Sequence, residues 1–298
     1  MAMQWYEFGN DTYALIGGSN IGFIVQGGRS VIIDTGLDRD AAKKALRAVD
    51  DLGARPAAIL ITHGHTDHFG GAAWLAKRAG IPIYAPPLEA VFVAHPILEP
   101  LFLYGGAAPI KELQGKFTLA KQSAPVSGTL APGAQEIAGF SLNIIALPGH
   151  ALEQIGVVAD STVYCGDAIF PEDTLARHPI LFCADIDLWL ETLETLPTLG
   201  YNWVVPGHGE PAQDIVPLVE ANAARLFEIR TLVWEALAEP KEPQAVLRAV
   251  ADHYGVVFTV PPFFLLALTT IQSALTSLQR AGEAEIVMQA NNMLWRRC

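Results

Sequence analysis

The first part of the sequence predicts an α/β fold, and two observations support that prediction. Short apolar runs that are typical of buried strands alternate with helical patterns, as in residues 29–34, 40–51 and 57–62. From Asp214 onward, by contrast, helical patterns dominate and strand signals are few. The sequence therefore predicts an α/β part that is followed by a mainly helical extension.

The α/β part begins with a predicted hairpin. Residues 20–26 and 29–34 are apolar runs that flank a Gly-Gly turn. Residues 40–51 and 71–78 have the spacing of amphipathic helices, and the second pattern closes at Gly80. Further strands are predicted at residues 81–85, 129–137, 141–146, 154–159, 162–165 and 203–205, with a helix at residues 187–196.

We predict two domains, a catalytic one over residues 1–212 and a helical one over residues 213–298. Within the first, residues 86–115 form a long apolar connection rich in Pro and Gly. Such a connection is either a lid over a binding site or a helical excursion that packs on its own domain. In the second, helical patterns precede two short runs, residues 285–289 and 293–297, that flank a predicted hairpin turn. This order is winged-helix-like.

The composition predicts a folded, cytoplasmic protein. Of its 298 residues 51% are hydrophobic and 17% are charged, and no apolar run is expected to reach the roughly 18 residues of a membrane span. The start lacks a signal-peptide pattern. Three widely spaced cysteines favour a reducing compartment.

The charge argues for a small-molecule substrate and against a nucleic-acid partner. A formal net charge of -12 would repel DNA or RNA. The winged-helix-like end does not alter this, since residues 263–281 carry one charged residue, Arg280, where a helix that reads a DNA groove needs several basic ones. The sequence leaves open whether the protein forms a homodimer.

Three of the eight histidines fall in one run, Thr-His-Gly-His-Thr-Asp-His at residues 62–68. The run follows a predicted buried strand. Alternate residues of a loop can turn their side chains the same way, so His63 and His65 can share one metal ion. Asp67 and His68 could then hold a second, because imidazole and carboxylate are common metal ligands.

Three later residues sit in the same setting, which is a strand end, then a glycine, then a ligand-type side chain. They are His150, Asp167 and His208. In α/β architectures the loops at strand ends converge on the active site. One such residue would be a weak signal, but four strand ends with His or Asp form a specific one.

Together these residues resemble the signature of the metallo-beta-lactamase superfamily, His-x-His-x-Asp-His followed by a distant His, a distant Asp and a last His. The matching residues are His63, His65, Asp67, His68, His150, Asp167 and His208. The resemblance covers about residues 10–212. It implies a four-layer αββα sandwich with metals at one edge between the two sheets. Asp34, in the run Ile-Asp-Thr-Gly, matches the family's early strand-end aspartate, which supports the ligands from outside.

The resemblance also implies a ligand set. His63, His65 and His150 would hold one ion, Asp67, His68 and His208 a second, and Asp167 would bridge both. We expect two divalent metal ions, Zn foremost, although Fe and Mn also accept these ligands. Asp67 and Asp167 are the expected catalytic carboxylates.

Two residues outside the signature are candidates for substrate contact. Tyr104, in the apolar connection, could donate a hydrogen bond to a substrate oxygen. His178 lies in a loop after Asp167 and could line the pocket. For both, an ordinary packing or surface position is the alternative.

The leading hypothesis is a dinuclear hydrolase in which a metal-bridging hydroxide attacks a small acyl substrate, namely a thioester, a lactone or an ester. Its sharpest version resembles a glyoxalase II-like thioesterase, but basic residues that would hold a glutathione tail are not identifiable. An endoribonuclease and a mononuclear iron dioxygenase acting on a persulfide are alternative enzymes. A regulatory module with an inherited metal site is the non-enzyme alternative.

Overall fold

The computed structural model describes residues 4–298, and its strands form two large sheets and one small sheet. The first sheet holds its strands in chain order: β1 Gln4–Gly9, β2 Thr12–Ile16, β3 Ile21–Gln26, β4 Arg29–Ile33, β5 Arg55–Leu60, β6 Ile83–Ala85 and β7 Gly128–Thr129. Strands β1 to β4 are antiparallel, whereas β4 to β7 are parallel.

The second sheet follows along the chain. Its strands are β8 Gly133–Ile137, β9 Phe140–Ala146, β10 Ile155–Ala159, β11 Thr162–Gly166 and β12 Trp203–Pro206. They are ordered β12-β11-β10-β9-β8, and the β11–β12 pair is parallel. The small sheet is the hairpin of β13 Ala284–Gln289 and β14 Asn292–Arg297. Its turn residues Ala290 and Asn291 both have positive φ, which confirms the predicted hairpin turn.

Helices cover both outer faces of the two large sheets. Those before β12 are α1 Arg39–Asp51, α2 Thr66–Phe69, α3 Ala72–Ala79, α4 Pro87–Ala94, α5 Leu98–Leu103, α6 Glu172–Arg177 and α7 Ile186–Thr195, with 3₁₀ turns at Lys111–Gln114 and Leu196–Leu199. Those after β12 are α8 Val216–Ala236, α9 Pro243–His253 and α10 Pro261–Arg280. The long apolar connection at residues 86–115 is therefore largely helical.

Three hydrophobic clusters separate four layers. One lies between the sheets, a second between the first sheet and helices α1 and α3, and a third between the second sheet and helices α7 to α10. Strands contribute alternate residues to two clusters, since successive side chains point to opposite faces. In β11, Tyr164 faces the other sheet while Val163 and Cys165 face the helices. The predicted αββα sandwich is confirmed.

One predicted strand is wrong. Residues 129–137 do not form a single strand, because β7 ends at Thr129 in the first sheet and β8 begins at Gly133 in the second. Pro132 lacks a backbone N–H, and Gly133 has φ +114, a conformation that L side chains rarely adopt. The chain crosses between the sheets at this point.

The C-terminal helices share a core with the second sheet. The third cluster joins Val163 and Val204 of the sheet to Ile229 of α8, Ile271 of α10 and Trp295 of β14. The predicted boundary at residue 212 thus lies inside one continuous apolar core. The boundary itself stays a prediction.

Helix α10 departs from one expectation. Within residues 4–298 it is long and apolar enough to cross a membrane by length and composition, which the sequence analysis had not expected of any segment. Half of its most apolar window is buried inside the fold, and Ile271, Ala274 and Leu278 belong to the third cluster. Such burial is typical of a core helix.

Candidate metal centre

The seven signature residues come together at one end of the two sheets. The run that begins at His63 follows β5 and continues into α2, which carries Asp67 and His68. The other three residues each lie in a loop after a strand of the second sheet. They are His150 after β9, Asp167 after β11 and His208 after β12. Strands from both sheets therefore deliver ligand-type side chains to the same edge.

Short distances connect the two sets. The Nε2 atom of His150 lies 3.0 Å from Nδ1 of His65. Nε2 of His208 lies 3.1 Å from Oδ2 of Asp67. Asp167 lies between them, with one oxygen 3.3 Å from His68 Nε2 and the other 3.4 Å from His150 Nε2. These distances connect six of the seven candidate ligands, and His63 joins the cluster because its ligand atom lies within 4.8 Å of those of His65 and His150.

Within the cluster, three trios have ligand atoms within 4.8 Å of one another. They are His63, His65 and His150; Asp67, His68 and His208; and His63, His68 and Asp167. The first two match the two groups that the resemblance implies. The third trio brings Asp167 between them.

Three buried polar atoms of the cluster lack a hydrogen-bond partner. They are Nε2 of His63, Nε2 of His68 and Oδ1 of Asp167. A buried polar atom without a partner costs about 1–3 kcal/mol. All three atoms are electron-pair donors of the kind that bind divalent metals. A cation at this point would give each of them a partner, so the residues fit a metal site.

The far nitrogen of most of these imidazoles is fixed by a protein acceptor. Nδ1 of His150 donates to the carbonyl oxygen of Phe182 at 3.1 Å, and Nδ1 of His208 donates to that of Gly18 at 2.6 Å. Because a carbonyl can only accept, each ring carries its proton on Nδ1. In the neutral form of each ring, Nε2 is then the unprotonated nitrogen that can bind a metal.

Asp34 contacts the cluster through hydrogen bonds, and the supporting role that the resemblance implies for it stays a prediction. Its Oδ2 accepts from Nδ1 of His68 at 2.8 Å and from the hydroxyl of Thr62 at 2.8 Å. The hydroxyl of Thr62 in turn lies 3.1 Å from Nδ1 of His63. Asp34 has φ 58, an uncommon conformation for a non-glycine residue that concentrates at functional sites.

Three buried carboxylates hold the backbone of the histidine run. Their partners are the N–H groups at alternate positions, Thr62 to Asp34 at 2.9 Å, Gly64 to Glu89 at 2.8 Å and Thr66 to Glu99 at 3.3 Å. The residue that follows each anchored N–H group carries a candidate ligand, and these residues are His63, His65 and Asp67. Glu89 and Glu99 are not among the site residues predicted from the sequence, although a charged residue inside an apolar run is a signal that points to them.

Burial keeps two of the imidazoles neutral. It lowers the pKa of His65 to about 3, with a further contribution from the neighbouring His150. It lowers the pKa of His150 to about 4, and His68 nearby acts in the same direction. A neutral imidazole is the form that binds a metal ion. These side chains are therefore ready for a cation near pH 7.

Carboxylates hold two further imidazoles, those of His68 and His208, in the charged form. Burial alone would lower the pKa of His208, but Asp167 and Asp67 outweigh it and raise the value to about 10. Burial alone would raise the pKa of Asp167, but His208 and His68 bring it well below its usual range. The cluster thus compensates its carboxylates with protons, and a metal ion would displace those protons.

Two glycines make room for this arrangement. A Cβ on Gly207 would lie 2.1 Å from Oδ1 of Asp167, and one on Gly149 would lie 2.2 Å from the backbone of Trp189. Both glycines precede a histidine in a Pro-Gly-His run. Only glycine allows these close approaches, which explains the residue before each ligand.

A cavity of about 1260 Å³ opens over the cluster. Side chains that line it include His65, Asp167 and His208. His178 also lines it, and its contact with a substrate stays a hypothesis. Tyr104 follows the end of α5 in an exposed position and is not among the lining residues. The hypothesis of a substrate contact by Tyr104 therefore receives no geometric support.

The superfamily's sequence model matches residues 15–208. The chain therefore belongs to the metallo-beta-lactamase superfamily. Full-length structural likeness agrees with this. A metallo-beta-lactamase family protein of Thermus thermophilus has a TM-score of 0.70 at 18% identity, over 99% of this chain and 98% of that one. A beta-lactamase domain protein of Burkholderia ambifaria has a TM-score of 0.71 at 18% identity, over 99% and 94%.

Curated relatives include hydrolases. A probable metallo-hydrolase of Bacillus subtilis is 29% identical over 195 residues, which is 63% of this chain and 79% of that protein. A hydroxyacylglutathione hydrolase of Thiobacillus denitrificans is 29% identical over 122 residues, which is 41% and 36% of the two chains. One of Alkalilimnicola ehrlichii is 32% identical over 143 residues, 47% and 42%. Less than half of either hydroxyacylglutathione hydrolase is thus matched. The chain is a metal-dependent hydrolase.

Proposed function

We propose that the chain is a dinuclear hydrolase of an acyl compound, namely a thioester, a lactone or an ester. The observation that carries the proposal is the position of Asp167. Its two oxygens lie 3.3 Å from His68 and 3.4 Å from His150, so the carboxylate joins the two trios that would hold one ion each. The hydroxyacylglutathione hydrolases among the relatives support acyl chemistry.

Each group of residues has a distinct role in this proposal. His63, His65 and His150 would hold one ion, Asp67, His68 and His208 the other, and Asp167 would bridge both. Two divalent ions, of which Zn suits these ligands best, would lower the pKa of a bound water to about 7 and polarise the substrate carbonyl. The chain itself supplies orientation, since hydrogen bonds to Nδ1 fix the rings.

The protein also shapes the surroundings of the reaction. His65 and His150 stay neutral because burial lowers their pKa values. Phe170 and Phe182 line the cavity beside them and restrict water around the reacting carbonyl. Relatives of this class act on small molecules. A cytoplasmic location and a homodimer are further parts of the proposal.

A substrate panel with a ligand variant tests the proposal. The metal-loaded protein should hydrolyse at least one of a simple ester, a lactone and a thioester, and His65→Ala should lose that activity. His253→Ala is the matched control, because His253 is half exposed on α9 and away from the cavity. A folded, metal-loaded protein inactive on the whole panel would overturn the proposal.

Metal analysis separates the alternatives. Two ions per chain are expected for a dinuclear hydrolase. One iron per chain with oxygen uptake on a persulfide would indicate a dioxygenase, and cleavage of RNA at low salt would indicate an endoribonuclease. A normally folded chain that binds no metal would indicate a regulatory module.

A further inference from the structure

The cavity over the candidate metal centre extends far beyond the ligands. Its volume of about 1260 Å³ exceeds the roughly 300–1,000 Å³ of ordinary small-molecule sites. The additional space lies against the C-terminal part of the chain. Val257 and Phe258, from the connection between α9 and α10, line it together with Phe263 of α10.

This C-terminal wall is apolar and accessible. The exposed fractions are 82% for Val257 and 44% for Phe263. Phe117, which is 46% exposed, lies across from α10 with its ring centroid 5.9 Å from that of Phe263. Single exposed apolar side chains need no explanation, but a group of them that faces one cavity marks a binding surface for apolar matter.

The wall offers little to an anion. Among the described residues 4–298 that line the cavity, Arg177 is the one with a permanent positive charge. Its guanidinium is already paired with Asp173 at 2.9 Å. Burial, with a contribution from Arg177, lowers the pKa of the adjacent His178 and keeps that ring neutral. Two further carboxylates, Glu99 and Glu210, also line the cavity.

The charge and the shape of the cavity together indicate which class of substrate it binds. Glutathione and phosphate-bearing carriers present carboxylates or phosphates. Such groups bind most strongly to Arg or Lys side chains that have no other partner. Here Arg177 is paired with Asp173, and apart from the candidate metal ligands the described residues that line the cavity include no second Arg or Lys side chain. A hydrocarbon chain, by contrast, would gain from removing the exposed apolar wall from water.

We propose that the substrate is an uncharged ester, thioester or lactone with a hydrocarbon chain that lies against Val257, Phe258 and Phe263. The inference rests on the proposed function, since it places the carbonyl at the candidate ligands and the chain along the C-terminal wall. The C-terminal segment is then the element that determines substrate specificity. The polyanionic thiol carrier of the hydroxyacylglutathione hydrolases is not the substrate.

Calorimetric binding to the metal-loaded protein tests the inference without hydrolysis. The probes are N-methyloctanamide, N-methylacetamide and S-hexylglutathione. Each methylene that becomes buried should tighten binding about fourfold, so the octanamide should bind at least about a hundredfold more tightly than the acetamide. S-hexylglutathione should bind more weakly than the octanamide. The reverse order would overturn the inference.

Variants of the cavity wall test where the hydrocarbon chain of the ligand lies. Phe263→Ala should weaken octanamide binding about tenfold, and Val257→Asp should weaken it as well. Phe227→Ala is the matched control, because Phe227 is 53% exposed on α8 and is not among the lining residues. Val257 is so exposed that its replacement leaves the core intact. Unchanged binding in both wall variants would refute the inference.

Hydrolysis assays distinguish this inference about the substrate class from the proposed hydrolase function on which it rests. Rates are measured on 4-nitrophenyl acetate, butyrate and octanoate, and on S-lactoylglutathione. Values of kcat/KM that rise with chain length, and that Phe263→Ala flattens, support both claims. Hydrolysis without chain-length dependence, or with a preference for S-lactoylglutathione, refutes only the substrate class. Octanamide binding without hydrolysis of any ester, lactone or thioester refutes only the proposed function.

Discussion

The two halves of the candidate metal centre are held in different ways. The run from His63 to His68 lies on a single loop, and the carboxylates of Asp34, Glu89 and Glu99 accept hydrogen bonds from its backbone. The later ligands come from three separate loops. Among them His150 and His208 are fixed by donating from Nδ1 to backbone carbonyls.

The difference has an electrostatic consequence. Burial raises the pKa of Glu89 and raises that of Glu99 well above its usual range, so these two groups support the run chiefly through hydrogen bonds rather than through charge. Replacing Asp34, which contacts a candidate ligand directly, should therefore lower metal affinity, whereas replacing Glu89 or Glu99 should chiefly lower stability. Substitutions at Asp167, Asp34 and Glu99 test this contrast, and one at Tyr104 tests a position outside it.

The largest effect is expected where the halves meet. Asp167→Asn removes the charge from the side chain that contacts His68, His150 and His208. We expect a loss of metal affinity and of hydrolysis that exceeds the roughly 10–100-fold typical of residues that only support a ligand. Bound metal and kcat/KM are measured, with Asp50→Asn on the exposed face of α1 as control. Retained metal and activity would contradict a bridging role.

A smaller effect is expected behind the histidine run. Asp34→Asn keeps one acceptor for the N–H of Thr62 but loses the negative oxygen that accepts from His68. Metal affinity should fall about 10–100-fold, because the ring of His68 loses its orientation and basicity. Competition with a chromophoric chelator gives the affinity. An unchanged value would mean that Asp34 serves the fold alone.

Glu99 tests whether a support can act through hydrogen bonds alone. One of its oxygens accepts from both the N–H and the hydroxyl of Thr66. Glu99→Ala should lower the free energy of unfolding by about 1–3 kcal/mol, since it leaves these buried donors unpaired. Glu99→Gln retains an acceptor oxygen and should lose less. Urea unfolding of both variants decides, and equal losses would show that charge is what matters.

The smallest effect is expected at Tyr104. Its ring is exposed after α5 and is not among the residues that line the cavity. Tyr104→Phe should change stability by less than about 0.5 kcal/mol, as is usual for surface positions, and should leave kcat/KM unaltered. A tenfold loss of kcat/KM would instead place the hydroxyl against the substrate and revive the original hypothesis.

The ligand cluster was predictable because its signal is local. Each ligand-type residue follows a strand whose apolar pattern can be recognised in the sequence. The strand ends of an α/β fold converge on the site. Glu89 and Glu99 were not predictable in this way. Their partners at Gly64 and Thr66 depend on how α4 and α5 fold back over the histidine run, and periodicity carries no information about that.

The C-terminal wall of the cavity could not be predicted from the sequence for the same reason. Val257 and Phe263 are distant in sequence from His63, and only tertiary packing brings them to one cavity. The strand predicted over residues 129–137 failed on a related point. Its apolar pattern continued across Pro132 and Gly133, while the backbone changed from one sheet to the other.

The continuous core beneath the C-terminal helices ties specificity to folding. Ile229, Ile271 and Trp295 pack in the same cluster as Val163 and Val204 of the second sheet. Exchanging this segment with that of another superfamily member would therefore change the substrate wall and the packing beneath the sheet in one step. Point changes at accessible wall positions, such as Val257, would by contrast alter the wall and leave the packing beneath the sheet in place.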